Sequence, residues 1–245
     1  MVLYKKVMLI TGAAQRIGAH IAQSAHADDY NIVLHYRQSL KQTQELKEQL
    51  NNIRLNSCIS VQADFNNEID FKRIINIISS EFGRLDVLVN NASEFFPTNL
   101  SELRPLDYDK LFNSNVKGPL FLSKACYHLL KKVNGSIINL VDIHADKPLK
   151  GYPIYSMAKA ANKMMVQALA KEYAPEIRVN GISPGCIIWP ATGLTDIDKD
   201  SIINRTVLKR KGQLKNIYKT IQFLIENDFI TGHTVNVDGG RSLNM

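Results

Sequence analysis

Short runs of consecutive apolar residues alternate along this chain with longer stretches in which apolar positions recur every three or four residues. Val7–Ile10, Ile32–His35, Ser57–Gln62, Val87–Asn90, Ser136–Val141, Ile177–Ile182 and Thr234–Val237 read as seven strands. Helical spacing falls near Arg16–Asp28, Leu40–Asn51, Glu68–Phe82, Asp107–Lys132, Pro153–Tyr173 and Leu214–Asn227. The strands are apolar at successive rather than alternate positions, which predicts a parallel sheet covered by helices on both faces. Regular strand–helix alternation places the chain in the α/β class with a doubly wound fold. No low-complexity linker, internal repeat or second domain is evident, and 245 residues is an ordinary length for one α/β domain.

Composition changes this picture little. An apolar fraction of 45 % supports a substantial core. No segment approaches the roughly 18 consecutive apolar residues of a membrane span. Met1–Thr11 runs straight into the first strand without the long apolar stretch of a leader. The three cysteines, Cys58, Cys126 and Cys186, have no metal-ligand spacing. Reduced thiols in a cytoplasmic protein are the expectation. The net charge of +7 raises the question of nucleic acid. The basic residues are scattered, however, with no run of five and no zinc-finger or RNA-recognition signature, so neither nucleic acid nor membrane is an expected partner. A modest positive field also suits an anionic cofactor.

Candidate chemistry gathers at the carboxyl ends of the strands. The first strand closes in Thr11-Gly12-Ala13-Ala14-Gln15-Arg16-Ile17-Gly18, and a helix follows. Gly12 permits a tight turn, Gly18 permits close helix–strand packing, and the helix N-terminus offers free N–H groups to a pyrophosphate. Gly12, Arg16 and Ile17 are therefore candidate cofactor contacts. NAD enzymes commonly place an acid after the second strand for the ribose 2′-hydroxyl. Here Tyr30–Gln44 contains no acid and reads His35-Tyr36-Arg37-Gln38-Ser39 instead. Arg37 and Ser39 can donate to a 2′-phosphate, with Arg16 approaching from the first turn, which favours NADPH. Asp64, after the third strand, accepts from the adenine amino group or caps the next helix. Asn91, Ala92 and Ser93 after the fourth strand, and Pro184 and Gly185 after the sixth, complete the candidate cofactor set.

Tyr155 and Lys159 stand four apart in a helical stretch and so share a face. A phenol with a pKa of about 10 is a poor acid at neutral pH. A neighbouring ammonium is expected to draw that pKa down towards the working range. Asp142 lies thirteen residues upstream.

These residues, with Asn115 and the closing Val237-Asp238-Gly239-Gly240, resemble the short-chain dehydrogenase/reductase family along essentially the whole chain. The resemblance implies a single Rossmann domain, commonly a homotetramer, with catalysis by Asn, Ser, Tyr and Lys. Asn115 then takes the part of the structural and proton-relay asparagine, Tyr155 of the proton donor, and Lys159 of the residue that binds nicotinamide ribose and tunes the tyrosine. Two positions depart from the pattern. Arg16 replaces the usual middle glycine of the first turn, and Asp142 replaces the usual catalytic serine.

Both departures resemble the pteridine and dihydromonapterin reductases. So do the stretches His35–Ser39, Gln62-Ala63-Asp64-Phe65 and Asn90–Thr98. That subfamily implies substrate contacts at Arg16, Ser93, Phe95, Asp142 and Tyr155, with a pterin stacked between Phe95 and the nicotinamide. Gln38 stands where a second basic residue is often found. The chemistry agrees: an ionised carboxylate only accepts, so it suits a substrate rich in N–H donors and repels a ketone oxyanion. The expected activity is NADPH-dependent reduction of a 7,8-dihydropterin to the tetrahydro form, with oxidised pterin or dihydrofolate as further substrates. The N5 proton comes from water or from the Tyr155–Asp142 system. A 3-ketoacyl carrier-protein reductase and a non-catalytic cofactor sensor or scaffold are the alternatives. The segment from Trp189 to Lys211, with Trp189, Leu194 and Ile197, is expected to be a mobile substrate loop that closes over the substrate side chain.

Overall fold

The computed structural model describes residues 5–189 and 195–245. Met1–Tyr4 and Leu194 lie outside the described residues. Seven strands form one sheet: β1 (Val7–Ile10), β2 (Asn31–Tyr36), β3 (Cys58–Gln62), β4 (Val87–Asn90), β5 (Ser136–Leu140), β6 (Arg178–Pro184) and β7 (Thr234–Val237). Their order is β3-β2-β1-β4-β5-β6-β7, and every pairing is parallel. The chain order therefore reverses between β1 and β4, which opens a crevice at the carboxyl ends of the strands.

Successive residues of β1 feed two different cores. Val7 and Leu9 pack with Phe71, Ile74 and Leu122 beneath α3 (Glu68–Glu81) and α5 (Gly118–Lys131). Met8 and Ile10 pack with Ile21, Leu46 and Ile221 beneath α1 (Arg16–Ala27), α2 (Leu40–Ile53) and α8 (Leu214–Glu226). Burial on both faces is why these strands are apolar at consecutive positions.

The structure corrects the sequence reading in three places. The predicted helix over Asp107–Lys132 is two helices, α4 (Pro105–Phe112) and α5, joined by a π-turn at Asn113–Lys117. Pro119 explains the break, because it has no N–H to give to the Asn115 carbonyl four residues back. β6 runs to Pro184, two residues beyond the expected end, because Ser183 and Pro184 still pair with Asn236 and Val237. Asp196–Arg205, inside the expected substrate loop, forms a helix, α7, that the apolar spacing does not predict. Thr195 and Asp198 cap it reciprocally, and that Thr-x-x-Asp spacing is a helix-start signal legible in the sequence. Among the described residues, no helix is long and apolar enough to cross a membrane.

Candidate active site

Gly12 turns the chain out of β1 with φ +61, and a Cβ there would sit 3.0 Å from the Ala92 Cα. A Cβ at Gly18 would run into the Gly12 carbonyl oxygen. Asn91 locks this turn: its Nδ2 donates to the carbonyls of Thr11 (2.8 Å) and Gly12 (3.1 Å). The N–H groups of Asn91 and Ala92 both donate to Thr11 Oγ1 at 2.9 Å. Arg16 holds a left-handed backbone, φ +56, where a glycine would be unstrained. Its guanidinium donates to the Trp189 carbonyl at 3.2 Å.

No side chain caps the N-terminus of α1, and its first turn carries no acid. The free N–H groups beside Ile17, with no Cβ at Gly12 or Gly18, make a cradle that fits a pyrophosphate. Around it runs a cleft of about 1410 Å³ that reaches from Arg37, Ser39 and Asp64 to Pro184, Gly185 and Arg241. Pockets for a single small molecule run to roughly 300–1,000 Å³, so this cleft has room for a cofactor and a second molecule together.

The cofactor candidates differ in how free they are. His35 is fully engaged with the protein. Its Nδ1 accepts from the Gly12 N–H at 3.3 Å, its Nε2 meets the Ala63 carbonyl at 3.1 Å, and the ring stacks on Phe65. Burial pushes its pKa down to about 4, so it is a neutral strut beneath the turn. Asp64 does not cap α3, whose N-cap is Asn67; its Oδ1 holds the Asn66 turn instead. Ser39 is the N-cap of α2 with no side-chain bond to the helix, so its hydroxyl is open to the cleft. Tyr36 also lines the cleft. Gly185 donates its N–H to the Val237 carbonyl at 3.0 Å at the far end.

The chemical end of the cleft is built on α6 (Pro153–Tyr173). Tyr155 is 4 % exposed, and its hydroxyl donates to Asp142 Oδ2 at 2.7 Å. The other Asp142 oxygen, Oδ1, accepts from the His144 N–H at 2.9 Å and caps the short turn at Ile143–Ala145. Asp142 thus both caps and reaches the tyrosine. Lys159, buried, lies 5.7 Å from the Tyr155 ring centroid and donates to the Leu140 carbonyl at 2.9 Å. Burial pushes its pKa down to about 8, while Asp142 opposes that shift.

The expectation that Lys159 draws the Tyr155 pKa down is overturned. Burial first, then the charge and hydrogen bond of Asp142, push the phenol well above its ordinary value. A carboxylate that accepts the O–H stabilises the protonated tyrosine, while the Lys159 ammonium is turned to the Leu140 carbonyl.

Asn115 sits in the π-turn, 1 % exposed. Its Nδ2 donates to the Glu94 and Leu111 carbonyls at 3.0 and 2.9 Å, and its Oδ1 accepts from Ser93 Oγ at 2.8 Å. It therefore ties down the loop that carries Ser93 and Phe95. The Phe95 ring stacks on Tyr152 at 4.6 Å and meets Tyr155 edge-on at 4.8 Å. One face of Phe95 is thus taken by a protein ring, while 41 % of the residue stays exposed to the cleft.

Three features escaped sequence reasoning. Tyr152 extends the aromatic wall; its position directly before Pro153 and three before Tyr155 was an available signal. Glu94 reaches across the cleft to Arg37, a pairing of residues 57 apart that carries no sequence signal. A buried amide ladder joins sheet to site. Asn90 Nδ2 donates to Asn139 Oδ1 at 2.9 Å, Asn139 Nδ2 to Asn162 Oδ1 at 3.1 Å, and Asn162 Nδ2 to the Asn115 carbonyl at 2.6 Å. That last carbonyl is the one Pro119 leaves free. Asn162 shares its helix face with Tyr155 and Lys159, so the ladder sets their height over β4 and β5. Asn162→Leu strands two buried polar groups and is expected to cost about 1–3 kcal/mol, read as a lower urea midpoint. An unchanged midpoint would show the ladder to be dispensable.

The parallel sheet, the anion cradle at its switch point and the Tyr155–Lys159–Asp142 group define an oxidoreductase of the dinucleotide-binding class. The family profile described as Enoyl-(Acyl carrier protein) reductase matches residues 12–242. The chain is 34 % identical to Pteridine reductase 1 of Leishmania tarentolae, over 97 % of this chain and 96 % of that one. It is 32 % identical to an uncharacterised oxidoreductase of Methylorubrum extorquens, over 96 % and 97 %. It is 31 % identical to a 3-oxoacyl-[acyl-carrier-protein] reductase of Staphylococcus aureus, also over 96 % and 97 %. The chain belongs to the short-chain dehydrogenase/reductase family, whose members use NAD(H) or NADP(H).

Proposed function

We propose that this protein is an NADPH-dependent reductase that converts 7,8-dihydropterins to the tetrahydro form, with residues 1–245 acting as one unit. The observation that carries the reading is the Asp142 carboxylate, hydrogen-bonded to the Tyr155 hydroxyl at 2.7 Å. Each Asp142 oxygen has one protein donor and keeps a lone pair for another. Ring N–H and amino groups supply such donors, whereas the oxyanion of a reduced ketone would meet a negative charge. The aromatic wall of Phe95, Tyr152 and Tyr155 suits a flat heterocycle. The likeness to a protein named Pteridine reductase 1 supports the same reading.

In this reading Gly12, Ile17 and Gly18 receive the pyrophosphate, and Arg37 and Ser39 receive the 2′-phosphate. Asp64 accepts from the adenine, Asn91 and Ala92 shape the central wall, and Pro184 and Gly185 flank the nicotinamide. The nicotinamide supplies a hydride. Lys159 binds the ribose, Arg16, Ser93 and Phe95 hold the pterin, Asn115 positions their loop, and Tyr155 and Asp142 hold the proton at the reacting edge.

The test follows NADPH oxidation with dihydrobiopterin, dihydromonapterin, dihydrofolate and a 3-ketoacyl thioester. Turnover of a dihydropterin with little thioester reduction is expected. Thioester reduction without pterin turnover would overturn the reading. The same assay checks the cofactor: NADPH is expected to outperform NADH. Arg37→Asp should weaken NADPH about ten- to a hundredfold, as the loss of one charge-assisted contact implies. Equal kinetics with both cofactors in the parent protein would refute that choice.

A further inference from the structure

The acid that is missing after β2 arrives from elsewhere in the chain. Glu94 Oε1 lies 2.6 Å from a guanidinium nitrogen of Arg37, and both side chains line the cleft. We propose that Glu94 is a cofactor-specificity residue, whose carboxylate competes with the 2′-phosphate of NADPH for Arg37. This rests on the reading that Arg37 receives that phosphate.

The backbone on both sides is held in place. The Glu94 N–H donates to Ser114 Oγ at 3.1 Å, and its carbonyl accepts from Asn115 at 3.0 Å. The Arg37 carbonyl accepts from Gln62 Nε2 at 3.1 Å. The competition is thus between side chains over a fixed frame. A guanidinium has five N–H donors and can serve two anions at once. A phosphate held beside a carboxylate on one arginine then meets like charge at short range. Alternatively the carboxylate gives up its ion pair. Both outcomes weaken a cofactor with a 2′-phosphate. Neither applies to NADH, whose 2′-hydroxyl is uncharged and leaves the pair intact. Glu94 therefore narrows the preference for NADPH that the acid-free β2 end would otherwise give.

The pair is part-exposed, with side-chain exposures of 43 % and 35 %, so its effect is modest and screened by salt. The experiment titrates NADPH, NADH and adenosine 2′,5′-bisphosphate calorimetrically into parent, Glu94→Gln, Arg37→Gln and the double variant, at low and high salt. Glu94→Gln is expected to bind NADPH and the bisphosphate roughly two- to fivefold more tightly at low salt, with NADH changed by less than that. High salt should shrink the gain, and the double variant should bind no more tightly than Arg37→Gln. If Arg37→Gln weakens NADPH while Glu94→Gln leaves it unchanged or weaker, the role of Glu94 is overturned and the cofactor reading survives. Equal tightening of NADH also overturns it, since the effect would then be general charge. If Arg37→Gln changes neither cofactor, the assignment of the 2′-phosphate to Arg37 fails, and the Glu94 proposal fails with it.

Discussion

Tyr155→Phe is expected to keep NADPH affinity within about twofold and to lose roughly a hundredfold or more in kcat, the usual range for removal of a general acid. The ring stays in the aromatic wall, edge-on to Phe95, so packing survives the change. What goes is the hydroxyl proton, held on an oxygen 2.7 Å from Asp142. Burial and Asp142 both keep that proton on the phenol across the physiological range. The alkaline limb of kcat/KM should therefore belong to Lys159, which loses its charge as the pH rises through about 8. Lys159→Ala should lose both turnover and cofactor affinity, because the lysine is assigned to the ribose as well. Stopped-flow turnover with fluorescence titration of NADPH separates the two variants. Near-parental turnover in Tyr155→Phe would remove Tyr155 from the role of principal acid.

Asp142→Ser should reduce dihydropterin turnover about ten- to a hundredfold, the value of a hydrogen bond to a charged acceptor. The serine can cap the turn at Ile143–Ala145 as Asp142 does, so the fold should tolerate it. It lacks the negative charge that holds the Tyr155 proton and that, in the proposed reading, receives substrate N–H groups. Removing that charge also removes one of the causes that raise the Tyr155 pKa, leaving burial as the main one. Asp142→Asn distinguishes charge from shape: a similar loss in both variants assigns the effect to the charge. Dihydropterin turnover at the parental rate in Asp142→Ser would sink the donor-rich substrate reading. A gain in thioester reduction by the same variant would point to neutral-donor chemistry at this position, which the proposed reading assigns Asp142 to oppose.

Much of this protein was legible in its linear pattern, for a physical reason. The central strands β1, β4 and β5 are buried along their whole length, so their apolar runs stand out against the helical spacing around them. The turn at Gly12 and the Tyr155–Lys159 pair were visible because short-range geometry dictates them. One needs a left-handed backbone, the other a spacing of four on a helix. The Thr195–Asp198 cap is an equally local signal, but the segment it starts lacks the apolar face that marks the other helices. The π-turn was also in reach, since Pro119 withdraws the N–H that would have bonded Asn115.

Tertiary structure decided what depends on neighbours distant in sequence. Burial first, and then the approach of Asp142, push the Tyr155 pKa up, and spacing alone suggested the opposite direction. Asp64 was open between adenine and a helix cap until Asn67 took the cap. His35 lines the cleft, and only the folded chain brings its ring nitrogens to the Gly12 N–H and the Ala63 carbonyl, just beyond β1 and β3. The acid-free stretch after β2 gave no hint that Glu94, 57 residues on, would stand against Arg37. Local backbone preference and burial are written into consecutive residues, so the chain alone determined its sheet, its turn and its helix-borne pair. Electrostatics acts through space, so only the folded chain decided which charges meet.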